Sequence, residues 1–146
     1  MIVSSFPADQ DFWQSGKGFY SAEHGLKEKG GTIILVSPNY EGIGPHKEFA
    51  RVVGMDDPEK LLLKLMNNEE ADMDPLALSI GTAVAKVRKR RELVVVTDGM
   101  TREEIELCKM KYYSTKDIQK AIDDAIGKYN NPSVSVITHG GELFVY

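Results

Sequence analysis

Gly30-Gly31-Thr32-Ile33-Ile34-Leu35-Val36-Ser37 sets a glycine pair before an apolar, largely β-branched run with no polar face to give to water. A strand of this kind must be covered on both sides, the signature of a parallel sheet inside an α/β layer. Leu93-Val94-Val95-Val96-Thr97, closed by Asp98-Gly99, repeats the pattern. Ile2-Val3-Ser4-Ser5 and Val134-Ser135-Val136-Ile137-Thr138 are shorter versions of it. A last strand over Glu142 to Tyr146 is expected after the turn at Gly140-Gly141.

Helices fill the intervals. Asp57-Pro58 and Asp74-Pro75 each place a side-chain acceptor at an N-cap and proline at the first helical position, where its missing N–H costs nothing. Thr101 with Glu104 forms a capping box. Ile118, Ile122, Ala125 and Tyr129 make a helical stripe ahead of the strand at Val134. Alternating strands and helices predict a three-layer α/β/α sandwich with a mostly parallel, Rossmann-like sheet, built as one domain over residues 1–146.

Composition narrows the classes of function. The 146 residues carry a net charge of −4, which argues against a generic nucleic-acid binder resting on a basic surface. One cysteine excludes an intrachain disulfide and a Cys-rich metal site, as suits a reducing compartment. The uncharged stretch from Leu76 to Ala85 is about ten residues, roughly half of what a membrane span needs. The opening residues do not read as a basic-then-apolar leader, so a cytoplasmic location is expected. The first strand opens at Ile2 without a lead-in, whereas termini normally fray; this points to a piece cut from something longer.

Residues 9–27 read as one helix whose two sides differ in chemistry. At about 100° per residue, Phe12, Gly16, Phe19, Ala22 and Leu26 form a core stripe. Gln10, Trp13, Gln14, Lys17, Tyr20 and His24 share the opposite sector of roughly 100°. Lys17 offers a point charge to a carboxylate and Gln14, one turn away, a directional donor and acceptor. Trp13 and Tyr20 offer flat walls that exclude water. The segment follows the first strand, where open α/β sheets place their ligands. The same pattern also suits a half-buried packing face with Lys17 running its stem past the rings.

The run Pro7-Ala8-Asp9-Gln10-Asp11-Phe12-Trp13-Gln14-Ser15-Gly16-Lys17, followed by Gly30-Gly31-Thr32-Ile33-Ile34-Leu35-Val36 and Glu41-Gly42-Ile43-Gly44, resembles the C-terminal domain of the nickel-dependent lactate racemase family. The ending Val136-Ile137-Thr138-His139-Gly140-Gly141-Glu142-Leu143 is similar to the close of that domain, and residues 55–92 match loosely. The resemblance implies a two-domain enzyme. An N-terminal domain outside this chain would hold a nickel-pincer nucleotide and two catalytic histidines that take the hydroxyl proton of a 2-hydroxyacid. The cofactor would accept and return the α-hydride, and none would be bound by this chain alone. The C-terminal domain would close over the site, with Gln14 and Lys17 gripping the substrate and Trp13 standing where the lactate enzyme has a tyrosine. No tryptophan occurs from Leu76 to Gly81, where that enzyme places one against its substrate. A different 2-hydroxyacid, bulkier or more polar than lactate, is implied. Without the resemblance, a stand-alone module binding a small anion or nucleotide, or an interaction domain presenting the aromatic face, fits the same residues.

Other candidates read more locally. Glu41-Gly42-Ile43-Gly44-Pro45-His46 follows a strand and is expected to open a helix at Pro45, with Gly44 and His46 near Lys17 as a ligand loop. It lacks the third glycine of a dinucleotide fingerprint. Asp98 either caps a turn or touches a ligand. His24, His46, His139 and Cys108 show no ligand spacing, so no metal is expected on this chain alone. Cys108 reads as a buried structural thiol. Lys86-Val87-Arg88-Lys89-Arg90-Arg91 reads as a solvated helix end or a contact for the other domain, not a nucleic-acid patch.

Overall fold

The computed structural model describes residues 1–27, 30–67, 69 and 72–143. In chain order the elements are β1 (Ile2–Ser4), α1 (Phe12–Ser15), α2 (Lys17–His24), β2 (Thr32–Val36), α3 (Phe49–Gly54), α4 (Pro58–Met66), α5 (Pro75–Arg90), β3 (Glu92–Val96), α6 (Arg102–Leu107), β4 (Lys111–Tyr113), a 3-10 turn (Thr115–Asp117), α7 (Ile118–Ile126) and β5 (Val136–Ile137). The sheet order is β4-β3-β2-β1-β5, and every pairing is parallel. Ile34 of β2 stands between Ile2 of β1 and Val94 of β3.

The order explains the layers. The first four strands step in one direction, and right-handed crossovers then bring all their connecting helices to one face. The step back to β5 puts α7 on the other face. Strand residues alternate accordingly. Val3, Ile33, Leu35, Leu93, Val95 and Ile137 pack with Phe12, Phe19, Phe49, Val84 and Ile105. Ile34, Val94 and Val96 pack with Ala121 and Ala125 of α7. The α/β sandwich of the sequence reading is therefore present, with an all-parallel sheet.

Several local expectations need correction. The helix expected over residues 9–27 is two helices joined at Gly16, which keeps right-handed helical angles (φ −55°, ψ −20°), so the two faces stay in phase across the joint. Burial on both faces holds for β2 and β3 but not for β5, because the single helix α7 lies over β2 and β3; Val136 is 64% exposed. No helix opens at Pro45: residues 41–48 form turns and α3 starts at Phe49. Asp57 makes no side-chain cap; its carboxylate pairs instead with Lys60 at 3.0 Å. Tyr129 lies beyond α7, its hydroxyl 3.0 Å from Thr32 Oγ1. Glu142 sits in a turn, and residues 144–146 of the expected last strand lie outside the described residues.

Other expectations hold. Asp74 caps α5, the Thr101–Glu104 capping box is closed in both directions, and Cys108 is buried, which pushes its thiol up to about 12. The basic run is not a free helix end. Arg88 donates to the carbonyls of Val53 and Met55, Lys89 meets Glu59 at 3.3 Å, and Arg90 grips Glu23 through two 2.8 Å bonds. Arg91 is buried, pairs with Glu23 at 3.5 Å and donates to the Gly30 carbonyl. These cations fasten the end of α5 to α2 and to the loop before β2.

Candidate functional site

β1 ends beside β5, where the strand order reverses. The crevice beyond the carboxyl ends of the strands at such a reversal is where open α/β sheets bind ligands. The Gly140 N–H donates to the Ser4 carbonyl at 2.7 Å, and the Ser21 hydroxyl donates to the Gly140 carbonyl at 2.6 Å. The end of β5 is thereby joined to β1 and α2.

α1 starts here because its first N–H groups are satisfied by the chain itself. Asp11 accepts from Gln14 N–H at 2.7 Å, while the carbonyls of Gly42 and Ile43 accept from Phe12 at 2.8 Å and Trp13 at 3.2 Å. No N–H at this end is left for an anion to take. Gly44 belongs to the same strap: its φ is +95°, and a Cβ there would lie 2.8 Å from Asp11 Cγ. The 41–44 loop lies against the start of α1, where it braces the helix.

α2 comes as near to β1 as backbone permits. A Cβ on Gly18 would sit 2.5 Å from Ser5 Oγ, and the Ser5 hydroxyl donates to the Ser15 carbonyl at 2.5 Å. This close approach puts Lys17, one residue earlier, beside the crevice. Lys17 is exposed and donates from Nζ to Gln14 Oε1 at 2.7 Å. An ammonium only donates, so the amide oxygen must face it and the amide NH₂ must face away. Among the described residues that NH₂ and the other Lys17 N–H bonds have no protein partner. The pair is thus a small array of donors around one positive charge, suited to a carboxylate.

Trp13 of α1 and Tyr20 of α2 lie on the same two helices as this pair. Trp13 is half-buried, its ring centroid 4.1 Å from that of His46 and 5.2 Å from that of Phe49. His46 Nδ1 lies 2.6 Å from Asp74 Oδ2, and this bond, ahead of those from Leu76 and Ala77 N–H, holds the Asp74 carboxyl below its usual range. Tyr20 donates to the Ile80 carbonyl at 3.4 Å, and burial pushes its phenol up to about 12, so it stays neutral at any physiological pH. Leu76 and Ile80 are exposed on α5.

Trp13, Gln14, Lys17, Tyr20, Gly44 and His46 are therefore brought to one region, between the start of α1–α2 and the first turns of α5. Asp98 is not drawn in: its carboxylate accepts from Thr115 N–H at 3.1 Å and from the Thr115 hydroxyl. Sequence reasoning missed Asp74 as the partner of His46 and Phe49 as the second ring on Trp13. Asp74 was legible only as a helix cap, and nothing in a separation of 28 residues links it to His46. Among the described residues no group of three or more His, Cys, Asp or Glu is gathered closely enough to hold a metal ion, so the described side chains do not form a nickel ligand set. No helix among them is long and apolar enough to cross a membrane.

A family model described as the lactate racemase C-terminal domain matches residues 2–145. A lactate racemase of Lactiplantibacillus plantarum is 27% identical over 123 residues, covering 84% of this chain and 27% of that protein. A lactate racemase of Thermoanaerobacterium thermosaccharolyticum is 27% identical over 143 residues, covering 96% and 32%. The solved lactate racemase apoprotein from the latter organism shares the fold, with a TM-score of 0.73 and 24% identity over 99% of this chain and 34% of that one. The chain spans about a third of the length of these relatives. A match that runs from residue 2 to residue 145, on a sheet of the same fold, means that the chain belongs to the lactate racemase C-terminal domain family.

Proposed function

We propose that this chain is the substrate-gripping domain of a 2-hydroxyacid racemase or epimerase, closing over a partner domain that holds a nickel-pincer nucleotide. The observation that carries this reading is the Lys17–Gln14 pair, a charge with outward-facing donors at the sheet's topological switch point. Lys17 neutralises the substrate carboxylate and Gln14 orients it. Trp13 and Tyr20 exclude water on closure, which strengthens the charge contact as the local dielectric falls. The cofactor, bound elsewhere, supplies hydride transfer, and no catalytic step falls to this chain's own residues. Trp13 and Tyr20 shape the pocket that receives the substrate's side chain.

The test is a screen of the full-length, cofactor-loaded protein against D- and L-2-hydroxyacids, following loss of optical purity. Interconversion of one member is expected; no turnover on any, with cofactor loading verified, would end the racemase reading. In that enzyme Lys17→Ala should lower kcat/KM by about 2–4 kcal/mol, the size of a desolvated charge contact. Unchanged kinetics would remove Lys17 from the site.

A further inference from the structure

The wall beside the Lys17–Gln14 pair is itself held from outside. His46 lies on Trp13 at a ring-centroid distance of 4.1 Å and an interplanar angle of 40°, while Phe49 meets the indole edge-on at 5.2 Å and 76°. His46 Nδ1 reaches Asp74 Oδ2 at 2.6 Å. The other Asp74 oxygen caps α5, accepting from Leu76 N–H at 2.9 Å and Ala77 N–H at 3.4 Å. The Asp74 N–H donates to Glu48 Oε2 at 2.6 Å, and the His46 carbonyl accepts from Phe49 N–H at 2.9 Å. A continuous set of contacts runs from the first turn of α5, through an imidazole, to the chain's single tryptophan.

We propose that His46 is a positioning residue: fixed by Asp74, it sets the plane of Trp13 and hence the width of the slot that receives the side chain of a 2-hydroxyacid. The proposal rests on the reading of Trp13 as a wall of the substrate site. An indole at a half-open surface has two torsions to fix, and one ring on its face with another at its edge fix both. Phe49, fully buried, supplies the edge contact by packing alone. A hydrocarbon in place of His46 could slide along the indole face. The imidazole cannot, because Asp74 is held in its ionised, acceptor-only form and His46 Nδ1–H donates to it. Among the described residues, Asp74 and Glu48 are the acidic groups hydrogen-bonded within this cluster, and Trp13 and Phe49 carry no charge. The His46 and Asp74 side chains are 21% and 34% exposed, so the bond is only partly open to competing water.

The experiment uses the full-length protein labelled with 5-fluorotryptophan, with Trp13→Phe identifying the Trp13 resonance by its loss. KM and kcat are measured on the hydroxyacid with the highest kcat/KM in the screen. His46→Ala should move and broaden the Trp13 ¹⁹F signal and raise KM about three- to tenfold, the worth of an aromatic pair contact, with kcat falling far less. It should also narrow the preference between small and bulky 2-hydroxyacids. Asp74→Ser keeps a good N-cap on α5 but is too short to reach His46, so it should reproduce the same shift and KM change in weaker form. Lys17→Ala serves as the control for the site. If His46→Ala leaves KM unchanged while Lys17→Ala raises it, the positioning role is overturned and the site reading stands, whatever the Trp13 signal does. If neither variant raises KM, or no hydroxyacid is turned over, both fall.

Discussion

Lys17 and Gln14 stand three residues apart on consecutive turns, close enough for the ammonium to take the amide oxygen at 2.7 Å. That single bond decides what the amide can do, since it turns the NH₂ outward. A carboxylate at position 14 would satisfy Lys17 equally well but would present an anion to the proposed 2-hydroxyacid substrate. Gln14→Glu should therefore lower kcat/KM by about 2 kcal/mol or more while leaving the unfolding midpoint near wild type, because like charges across a binding contact cost several kcal/mol. Steady-state kinetics beside a denaturant titration checks this, and wild-type kinetics would mean that Gln14 does not face the carboxylate. Beside this pair, the single tryptophan at position 13 takes a partner on its face from 33 residues downstream, a contact that no local pattern announces.

At the scale of elements, the distance between α2 and β1 is the quantity that matters for the site. Gly18 sets it: a methyl group there would meet Ser5 Oγ at 2.5 Å, with Leu35 Cδ1 at 3.1 Å and Val3 Cγ2 at 3.4 Å. Gly18→Ala must push α2 off the sheet or displace the Ser5 hydroxyl from the Ser15 carbonyl. We expect a loss of about 1–3 kcal/mol in unfolding free energy, the usual cost of overpacking, with a rise in KM as Lys17 moves with its helix. An alanine variant as stable and as tight-binding as wild type would show that α2 has more room than the structure gives it. The second close element is α5, whose N-terminal cap and Ile80 carbonyl engage His46 and Tyr20. Its C-terminal cations are spent on Glu23, Glu59 and backbone carbonyls, so one helix braces the site at its start and the sheet's opposite end at its finish.

Across the whole molecule, Glu92 joins β3 to its neighbours and to the segment after α7. It accepts from Lys111 at 2.7 Å, Lys128 at 2.5 Å and the Thr32 hydroxyl at 2.9 Å. Burial alone would raise its pKa, but those hydrogen bonds outweigh it and hold the carboxyl at about 2. A depressed value in the folded state means stability that is present above the unfolded glutamate value of about 4 and lost as pH falls toward the folded value. Glu92→Gln should destabilise the protein at neutral pH, and the gap to wild type should close as pH is lowered through about 4 to about 2. Urea titrations across that range check the prediction; a gap independent of pH would mean that the carboxylate's charge contributes nothing.

The strands β2 and β3, the capping box at Thr101, the Asp74 cap and the apolar stripe of the first helices were legible from residue order, because each depends on neighbours within a turn or on an unbroken apolar run. The placement of Gln14 and Lys17 on one sector was legible for the same reason, although the bond between them was not. The edge strand β4 was not, since three residues with one exposed lysine carry no strand signal until β3 is beside them. Nor was the break at Gly16, where the helical pattern of the sequence continues through a residue that joins two separate helices. The uneven cover of the sheet, the spending of the basic run on internal partners, and the Asp74–His46–Trp13 contacts depended on which face each crossover takes and on which loops that brings together. Short-range chemistry is written in the spacing of residues, whereas contacts across 28 or 33 positions exist only once the parallel sheet has set the strand order and brought the 41–48 loop between α1 and α5.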